Sequence, residues 1–130
     1  MYRSAMSVLK VQLFSIPVTD QDRARDFYVD VLGFELVREM AMGPGQRWIQ
    51  LRPPGAETSV TLVTWFASMP PGSLTGVVLE TDDLDRDLTR LRERGGVTDL
   101  DISEQPWGRS VGFADPDGNR LILQTTTSGT

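Results

Sequence analysis

The chain has 130 residues, of which 39% are hydrophobic and 24% are charged, a composition typical of one soluble globular domain. Its net charge of −5 argues against general nucleic-acid binding, and without an apolar run of roughly 18 residues or a signal-peptide pattern we expect no membrane association and a cytoplasmic location. Histidine and cysteine are both absent, which excludes zinc sites with imidazole or thiolate ligands and nucleophiles that depend on histidine.

The first half of the chain predicts one strand, one helix and three further strands. Residues 11–20 alternate and are rich in β-formers, so they predict a strand that ends between Pro17 and Asp20. Asp20 or Thr19 is expected to cap a helix over 20–33, which Gly33 ends. Strands are predicted at 34–40, 47–52 and 59–66, separated by the turn sequences GPG and PPGAE.

The second half repeats this order after the midpoint sequence SMPPGS at 68–73. A strand at 76–83 precedes a helix that packs through leucines and ends before Gly95, and strands follow near 97–102, 109–115 and 120–125. Two copies of a βαβββ unit indicate a duplicated module. We predict a single α+β domain over 1–130, with module 1 at about 9–67, module 2 at about 74–125, and flexible ends at 1–7 and 126–130.

Four segments in this order resemble the vicinal oxygen chelate superfamily, the group of glyoxalases, bleomycin-resistance proteins and extradiol dioxygenases. They are IPVTDQDRARDFYVDVLGFELV, GVVLETDDLD, QPWGR and FADPDGNRLIL, and the resemblance runs from about residue 9 to 125. It implies two modules that pair curved, mixed sheets around a cup, with the helices on the outer face. It also implies a small-molecule ligand in the cup and a homodimer.

Metal-dependent members of that superfamily hold a divalent ion in the cup, with one ligand from each of four strands. The matching positions in this chain are Leu13, Leu62, Gly76 and Ile122, none of which carries a donor side chain. An alignment shift of one residue does not restore a cluster of carboxylates. We therefore expect no metal and no other cofactor, which argues against glyoxalase, epimerase or dioxygenase chemistry.

The sequence DPDGN at 115–119 connects the last two predicted strands. Its proline stands at the second turn position and its glycine stands where a positive φ is favoured, so it predicts a hairpin connection. We expect this turn to fix the register of the last strand so that Ile122, rather than Leu121, faces the cup.

Strand parity separates the two faces of each sheet, because successive side chains alternate. One face is uniformly apolar and belongs against the helices: Phe14, Ile16, Val18, Ile49, Leu51, Val63, Val77, Leu79, Leu121 and Leu123. The other, which we call the cup face, mixes apolar and polar types: Leu13, Ser15, Trp48, Gln50, Arg52, Val60, Leu62, Thr64, Gly76, Val78, Glu80, Arg120, Ile122 and Gln124. Such a mixture is what a small-molecule pocket needs.

Several residues on the cup face are candidates for ligand contact. Trp48 and Gln50 lie in the middle of a predicted strand, and Leu62, Thr64 and Ile122 share their face by this count. Glu80 is the only carboxylate on the face, and it is a general base, a contact for a cationic ligand or a structural ion-pair partner.

The loop QPWGR at 105–109 presents two further candidates, Trp107 and Arg109. The resemblance places this loop over the mouth of the cup. Trp107 either stacks on a planar ligand or plugs the end of the sheet, and Arg109 suits an anionic group.

These observations favour a metal-free protein that binds a small molecule in an aromatic-lined cup. One alternative is an enzyme, such as a lyase, isomerase or dioxygenase-like protein, that uses Glu80 or an all-oxygen metal site. A second alternative is a regulatory or interaction module in which the cup is vestigial.

Overall fold

The computed structural model describes residues 6–125. Module 1 contains β1 (Leu13–Pro17), α1 (Gln21–Asp26) with a π-helical segment (Phe27–Val31), β2 (Glu35–Gly43), β3 (Gln46–Arg52) and β4 (Ser59–Val63). Module 2 contains β5 (Thr75–Glu80), α2 (Leu84–Glu93), β6 (Asp101–Gln105), β7 (Gly108–Ala114) and β8 (Arg120–Gln124). The predicted α+β fold of two βαβββ modules is confirmed. The predicted flexible ends fall mostly on residues 1–5 and 126–130, which lie outside the described residues.

Each module forms one four-stranded mixed sheet, in the orders β1-β4-β3-β2 and β5-β8-β7-β6. Several predicted boundaries are wrong by three or four residues, at the ends of β2, β4 and β5 and at both ends of β6. The fourth strand ends at Val63 rather than at residue 66, and β6 begins at Asp101 rather than at residue 97. Val97 and Leu100 are apolar because they pack against the core from an irregular segment, not because they belong to a strand.

The helices begin and end where the sequence predicts. Asp20 caps α1 and Asp83 caps α2, each by accepting a 3.1 Å hydrogen bond from the backbone N–H three residues later. The first helix, predicted as one unit, changes to π geometry after Asp26, and the N–H of Leu32 donates to the carbonyl of Phe27 at 3.2 Å. Gly33, at a φ of 77°, ends it. Within the described part of the chain, no helix combines the length and the apolar character needed to span a membrane.

One hydrophobic core lies on the helix side of both sheets and takes side chains from both modules. Ile49 and Leu51 of β3 are fully buried. The corresponding side chains of β8, Leu121 and Leu123, are 1% and 6% exposed. The ring of Phe27 in module 1 lies 6.5 Å from the ring of Phe113 in module 2. The two modules therefore pack against each other through their helix-facing sides, which leaves the opposite faces of the sheets open.

The hairpin predicted at 115–119 is confirmed, and its side chains also join the two modules. The carboxylate of Asp115 is buried and accepts hydrogen bonds from the backbone N–H groups of Asp117 and Asn119 (both 2.9 Å) and from the Tyr28 hydroxyl (2.8 Å). Asn119 Nδ2 donates to Asp115 (2.9 Å) and to the carbonyl of Pro17 (2.8 Å). Burial, together with the neighbouring carboxylate of Asp115, raises the pKa of Tyr28 far above its ordinary value, so its hydroxyl stays protonated and donates.

Asp117 adds a second connection between the modules. Its side chain is fully buried, and Oδ1 accepts hydrogen bonds from the backbone N–H of Thr19 (2.9 Å) and from Arg23 Nη2 (3.1 Å). The Thr19 hydroxyl donates to the same oxygen. The turn therefore holds the end of β1 and the start of α1, and with them the orientation of module 1 relative to module 2.

Candidate functional site

The cup face of module 1 carries a connected set of polar side chains on β3 and β4. Trp48 Nε1 donates to Gln50 Oε1 at 3.2 Å, and Gln50 Nε2 donates to Ser59 Oγ at 2.7 Å. Trp48 and Gln50 are half-buried, whereas the residues that alternate with them are fully buried under the helix. The structure thus brings two of the predicted site residues into direct contact.

Further polar groups lie on the same face. The hydroxyls of Ser15 and Thr61 are 3.2 Å apart across β1 and β4. Arg52 Nε donates to Glu35 Oε2 at 2.6 Å at the end of β3. Because these groups bond to one another, they hold fixed orientations, which favours recognition of a ligand without large rearrangement.

A cavity of about 520 Å³ lies beside Gln50, Arg52 and Ser59. Its other walls are Val37 and Glu57 and the segment 8–12, which we call the N-terminal arm. The arm is anchored by the ion pair of Lys10 with Glu57 (3.2 Å). In addition, the Thr58 hydroxyl donates to the carbonyl of Val11 (2.8 Å), and the backbone N–H of Ser59 donates to the carbonyl of Gln12 (2.9 Å). All of these walls belong to module 1 or to the arm.

The predicted placement of Leu62 and Thr64 on the cup face is wrong. β3 and β4 pair Gln50 with Thr61 and Leu51 with Val60, and paired residues share a face. Thr61 therefore faces the cup, while Leu62 is fully buried on the helix side, where its carbonyl accepts a 2.8 Å hydrogen bond from Gln21 Nε2. Thr64 lies beyond the strand and lines a separate surface cavity near the start of α1.

On module 2, Ile122 and Glu80 lie on the face of the sheet that was predicted for them, opposite the helix side. Ile122 pairs with Val78 on one side and Gly112 on the other, opposite the buried Leu121 and Leu123. Glu80 is exposed at the end of β5 and borders a cleft between the modules, not the cavity beside Gln50. Its exposure removes the burial that the general-base hypothesis required.

The loop at 105–109 differs from its predicted arrangement. Arg109 pairs with Glu104, and its Nη2 donates to Asp85 of α2 at 3.2 Å. Arg109 therefore points to the helix side, and its predicted place over the cup is wrong. Trp107 stands in the two-residue turn between β6 and β7 with 61% of its surface exposed, so it does not plug the sheet of this chain.

Three contributions to the site were missed from the sequence. Ser59 and Thr61 were not included on the cup face, although polar and apolar residues alternate from 59 to 62 and so carried the signal. The arm was treated as a flexible end and the beginning of the first module. Nothing in its sequence indicates that Val8 and Leu9 would lie beside Gln50.

A profile of the glyoxalase/bleomycin resistance protein/dioxygenase superfamily matches residues 10–123. The chain belongs to this superfamily. It is 48% identical to TnmS3, an antibiotic binding protein from Streptomyces sp. CB03234, over 94% of this chain and 99% of that one, with a TM-score of 0.84. A glyoxalase/bleomycin resistance protein from the same organism is 49% identical over 85% and 96% of the two chains, with a TM-score of 0.74.

A third solved structure, a superfamily member from Sphaerobacter thermophilus DSM 20745, is 39% identical over 92% of this chain and 99% of that one, with a TM-score of 0.81. Proteins of this superfamily bind small molecules, often as dimers. The shared architecture accounts for the two curved sheets and for the helices on their outer sides.

The positions that bind metal in other members of the superfamily do not fit a metal ion here. Leu13, Gly76 and Ile122 carry no donor atoms. At the fourth strand the cup-facing residue is Thr61 instead of Leu62, and its hydroxyl is hydrogen-bonded to Ser15. Among residues 6–125, no three acidic side chains lie close enough together to hold an ion.

Proposed function

We propose that this protein binds a small molecule in its cup and holds the molecule without transforming it. The observation that carries the proposal is the chain of hydrogen bonds from Trp48 through Gln50 to Ser59, of which Gln50 and Ser59 line a cavity of about 520 Å³. An indole offers a flat apolar face, while the amide and hydroxyl groups offer donors and acceptors. This combination is typical of pockets for planar molecules with a few polar groups.

The similarity to TnmS3 supports the same proposal. That protein is an antibiotic binding protein and is 48% identical to this chain over nearly the full length of both. We infer that the ligand class is a natural product or drug-like compound with a planar aromatic part. The cavity beside Gln50 has the size of a site for part of such a molecule.

Replacing Trp48 with alanine is expected to weaken ligand binding about tenfold or more, because an aromatic anchor in a binding site contributes about 2 kcal/mol. The measurement is isothermal titration of the wild-type protein against planar aromatic compounds that carry anionic, cationic or neutral polar groups. The best binder is then titrated against the variant.

The matched control is Trp65→Ala, which removes an indole that follows β4 and packs beside Phe66, 6.2 Å between ring centroids. We expect it to leave the affinity within about twofold, as for residues that make no ligand contact. Turnover of a panel compound by the wild-type protein, or equal losses of affinity in the two variants, would contradict the proposal.

We also propose that the cup is completed by a second copy of the chain. Within one chain the two modules pack through their helix-facing sides, and the cup faces carry exposed apolar side chains, including Met40 (50% exposed) and Val78 (53% exposed). Met40 pairs with Trp48, and Val78 pairs with Ile122, so both belong to the surfaces that would meet across the cup.

Sedimentation velocity is expected to show a dimer, and Val78→Asp is expected to weaken it about tenfold or more, because an unpaired charge is then buried in the interface. Ile102→Asp is the matched control. Ile102 is 47% exposed but pairs with Val111 on the helix side. A monomeric wild-type protein, or the same dissociation in both variants, would overturn this arrangement.

A further inference from the structure

A cleft between the two modules is not used by the proposed function. It consists of two adjoining cavities of about 320 and 180 Å³ that share the residues Phe34, Pro53, Leu79 and Glu80. It is separate from the cavity beside Gln50, because the two have no lining residue in common. The cleft is open to solvent, so a small molecule can enter it.

The larger cavity has a mainly apolar wall. Its apolar members come from both modules and include Val78, which also belongs to the cup face: Phe14, Phe34, Pro53, Ala56, Val60, Val77, Val78 and Leu79. An apolar cavity of about 150 Å³ stays empty of water and accepts a benzene-sized molecule. The larger cavity therefore has room for a phenyl ring or a short alkyl chain, which would remove these half-buried side chains from water.

The smaller cavity ends in two carboxylates. Glu80 borders both cavities, and Asp87 of α2 lines the smaller one, where its Oδ2 accepts a hydrogen bond from the Thr81 hydroxyl. Among the described residues that line either cavity, the ionisable ones are these two acids. The net charge of −5 adds a general attraction for cations.

We propose that this cleft is a second binding site and that its ligand is an organic cation with an apolar body. The apolar part lies between Phe14, Val60 and Val77, and the ammonium group lies beside Glu80 and Asp87. The site shares no lining residue with the cavity beside Gln50, so its ligand binding is tested separately from the proposed function.

Three probes that share a phenylbutyl group test the proposal: phenylbutylamine, phenylbutanol and phenylbutyrate. Each is titrated into the isotopically labelled full-length protein, and binding is followed by two-dimensional amide NMR. We expect the amine to bind about fivefold more tightly than the alcohol, and the acid more weakly than both, because the carboxylates are partly exposed. The largest shifts are expected at Val77 to Thr81 and at Phe34.

Two variants separate the charge from the apolar contact. Glu80→Gln is expected to reduce the preference for the amine to about twofold or less, since one of two carboxylates is removed. Glu57→Gln removes the same charge from the cup cavity and is expected to leave the preference unchanged. Ala56→Leu fills part of the larger cavity and is expected to weaken all three probes together.

The Trp48→Ala variant distinguishes this site from the cup, because it is expected to bind phenylbutylamine as the wild-type protein does. Shifts centred on Trp48 and Gln50 would place the probe in the cup and overturn the proposal. Equal affinities for the amine and the acid, or equal effects of Glu80→Gln and Glu57→Gln, would overturn it as well.

Discussion

Replacing Asp115 with alanine is expected to lower the free energy of unfolding by about 3–5 kcal/mol, a large part of the stability of a domain of this size. Asp115 is 5% exposed and accepts four hydrogen bonds, from two backbone N–H groups, the Tyr28 hydroxyl and Asn119 Nδ2. The variant leaves these buried donors without an acceptor, and each such donor costs about 1–3 kcal/mol. Urea denaturation followed by circular dichroism measures the loss.

Two variants show whether the loss comes from this network. Asp82→Ala removes an exposed carboxylate and is expected to change stability by about 0.5 kcal/mol or less. Tyr28→Phe removes one donor to Asp115 and is expected to cost about 1.5–3 kcal/mol. Since the two residues are in contact, the double variant should lose less than the sum of the single losses. A loss in Asp115→Ala no larger than that of Asp82→Ala would show that the network does not stabilise the fold.

The network was only partly predictable from the sequence. The pattern DPDGN predicts a turn, because its proline and glycine act on the local backbone. The partners of its side chains lie far away in sequence: Tyr28 is 87 residues from Asp115, and Pro17 is 102 residues from Asn119. No local pattern contains such pairings, so the role of the turn in joining the modules appears only in three dimensions.

The sequence predicted which residues lie on the cup face in strands where buried and half-buried residues alternate. It did not do so in β4, where every residue is buried. On β3 and β8, fully buried residues alternate with half-buried ones, so Gln50 and Ile122 were assigned correctly. On β4 all five residues are buried, and only the polarity of Ser59 and Thr61 distinguishes the faces. The predicted set Val60, Leu62 and Thr64 has the opposite alternation, so Leu62 was assigned to the wrong face.

Arg109 shows a different limit. It is the second residue of β7, which follows a tight turn from β6. A change of one residue in such a turn moves every side chain of the strand to the opposite face. The two-residue turn at Pro106 and Trp107 sets Arg109 opposite Glu104 and against Asp85. The sequence of the loop identified a turn but did not determine its length.

The arrangement of the modules has a direct consequence for function. The helix-facing sides meet within one chain, so the surfaces of Trp48 and Ile122 are open, while the cleft at Glu80 lies between the modules. In the dimer proposed above the cup is completed by a second chain, whereas the cleft depends on the connections within one chain. Variants that weaken those connections should therefore change the cleft before they change the cup. The contact between the segment that joins the modules, at Gly72, and the turn at 115–119 is where we expect the largest effect.

Replacing Gly72 with alanine is expected to break that contact and to destabilise the protein by about 2–5 kcal/mol. Gly72 lies in the segment between the modules at a φ of 84°, and an added Cβ would stand 2.3 Å from the backbone carbonyl oxygen of Asp117. Alanine is disfavoured at such a φ by about 1–2 kcal/mol, and the remaining cost arises because the turn must move.

The matched control for Gly72→Ala is Gly55→Ala, where φ is 78° but no atom lies within 4 Å of the added Cβ. It carries the conformational cost alone and is expected to lose about 1–2 kcal/mol. The difference between the stability losses of the two variants, measured by thermal unfolding, is therefore the cost of the steric contact. We expect it to be about 1–3 kcal/mol. Since Asp117 also binds Thr19 and Arg23, displacement of the turn by Gly72→Ala should weaken its hold on module 1. Equal stabilities for the two variants would show that the close approach of Gly72 to Asp117 does not contribute to stability. The modules would then be joined only by the core and by the hydrogen bonds of Asp115, Asp117 and Asn119.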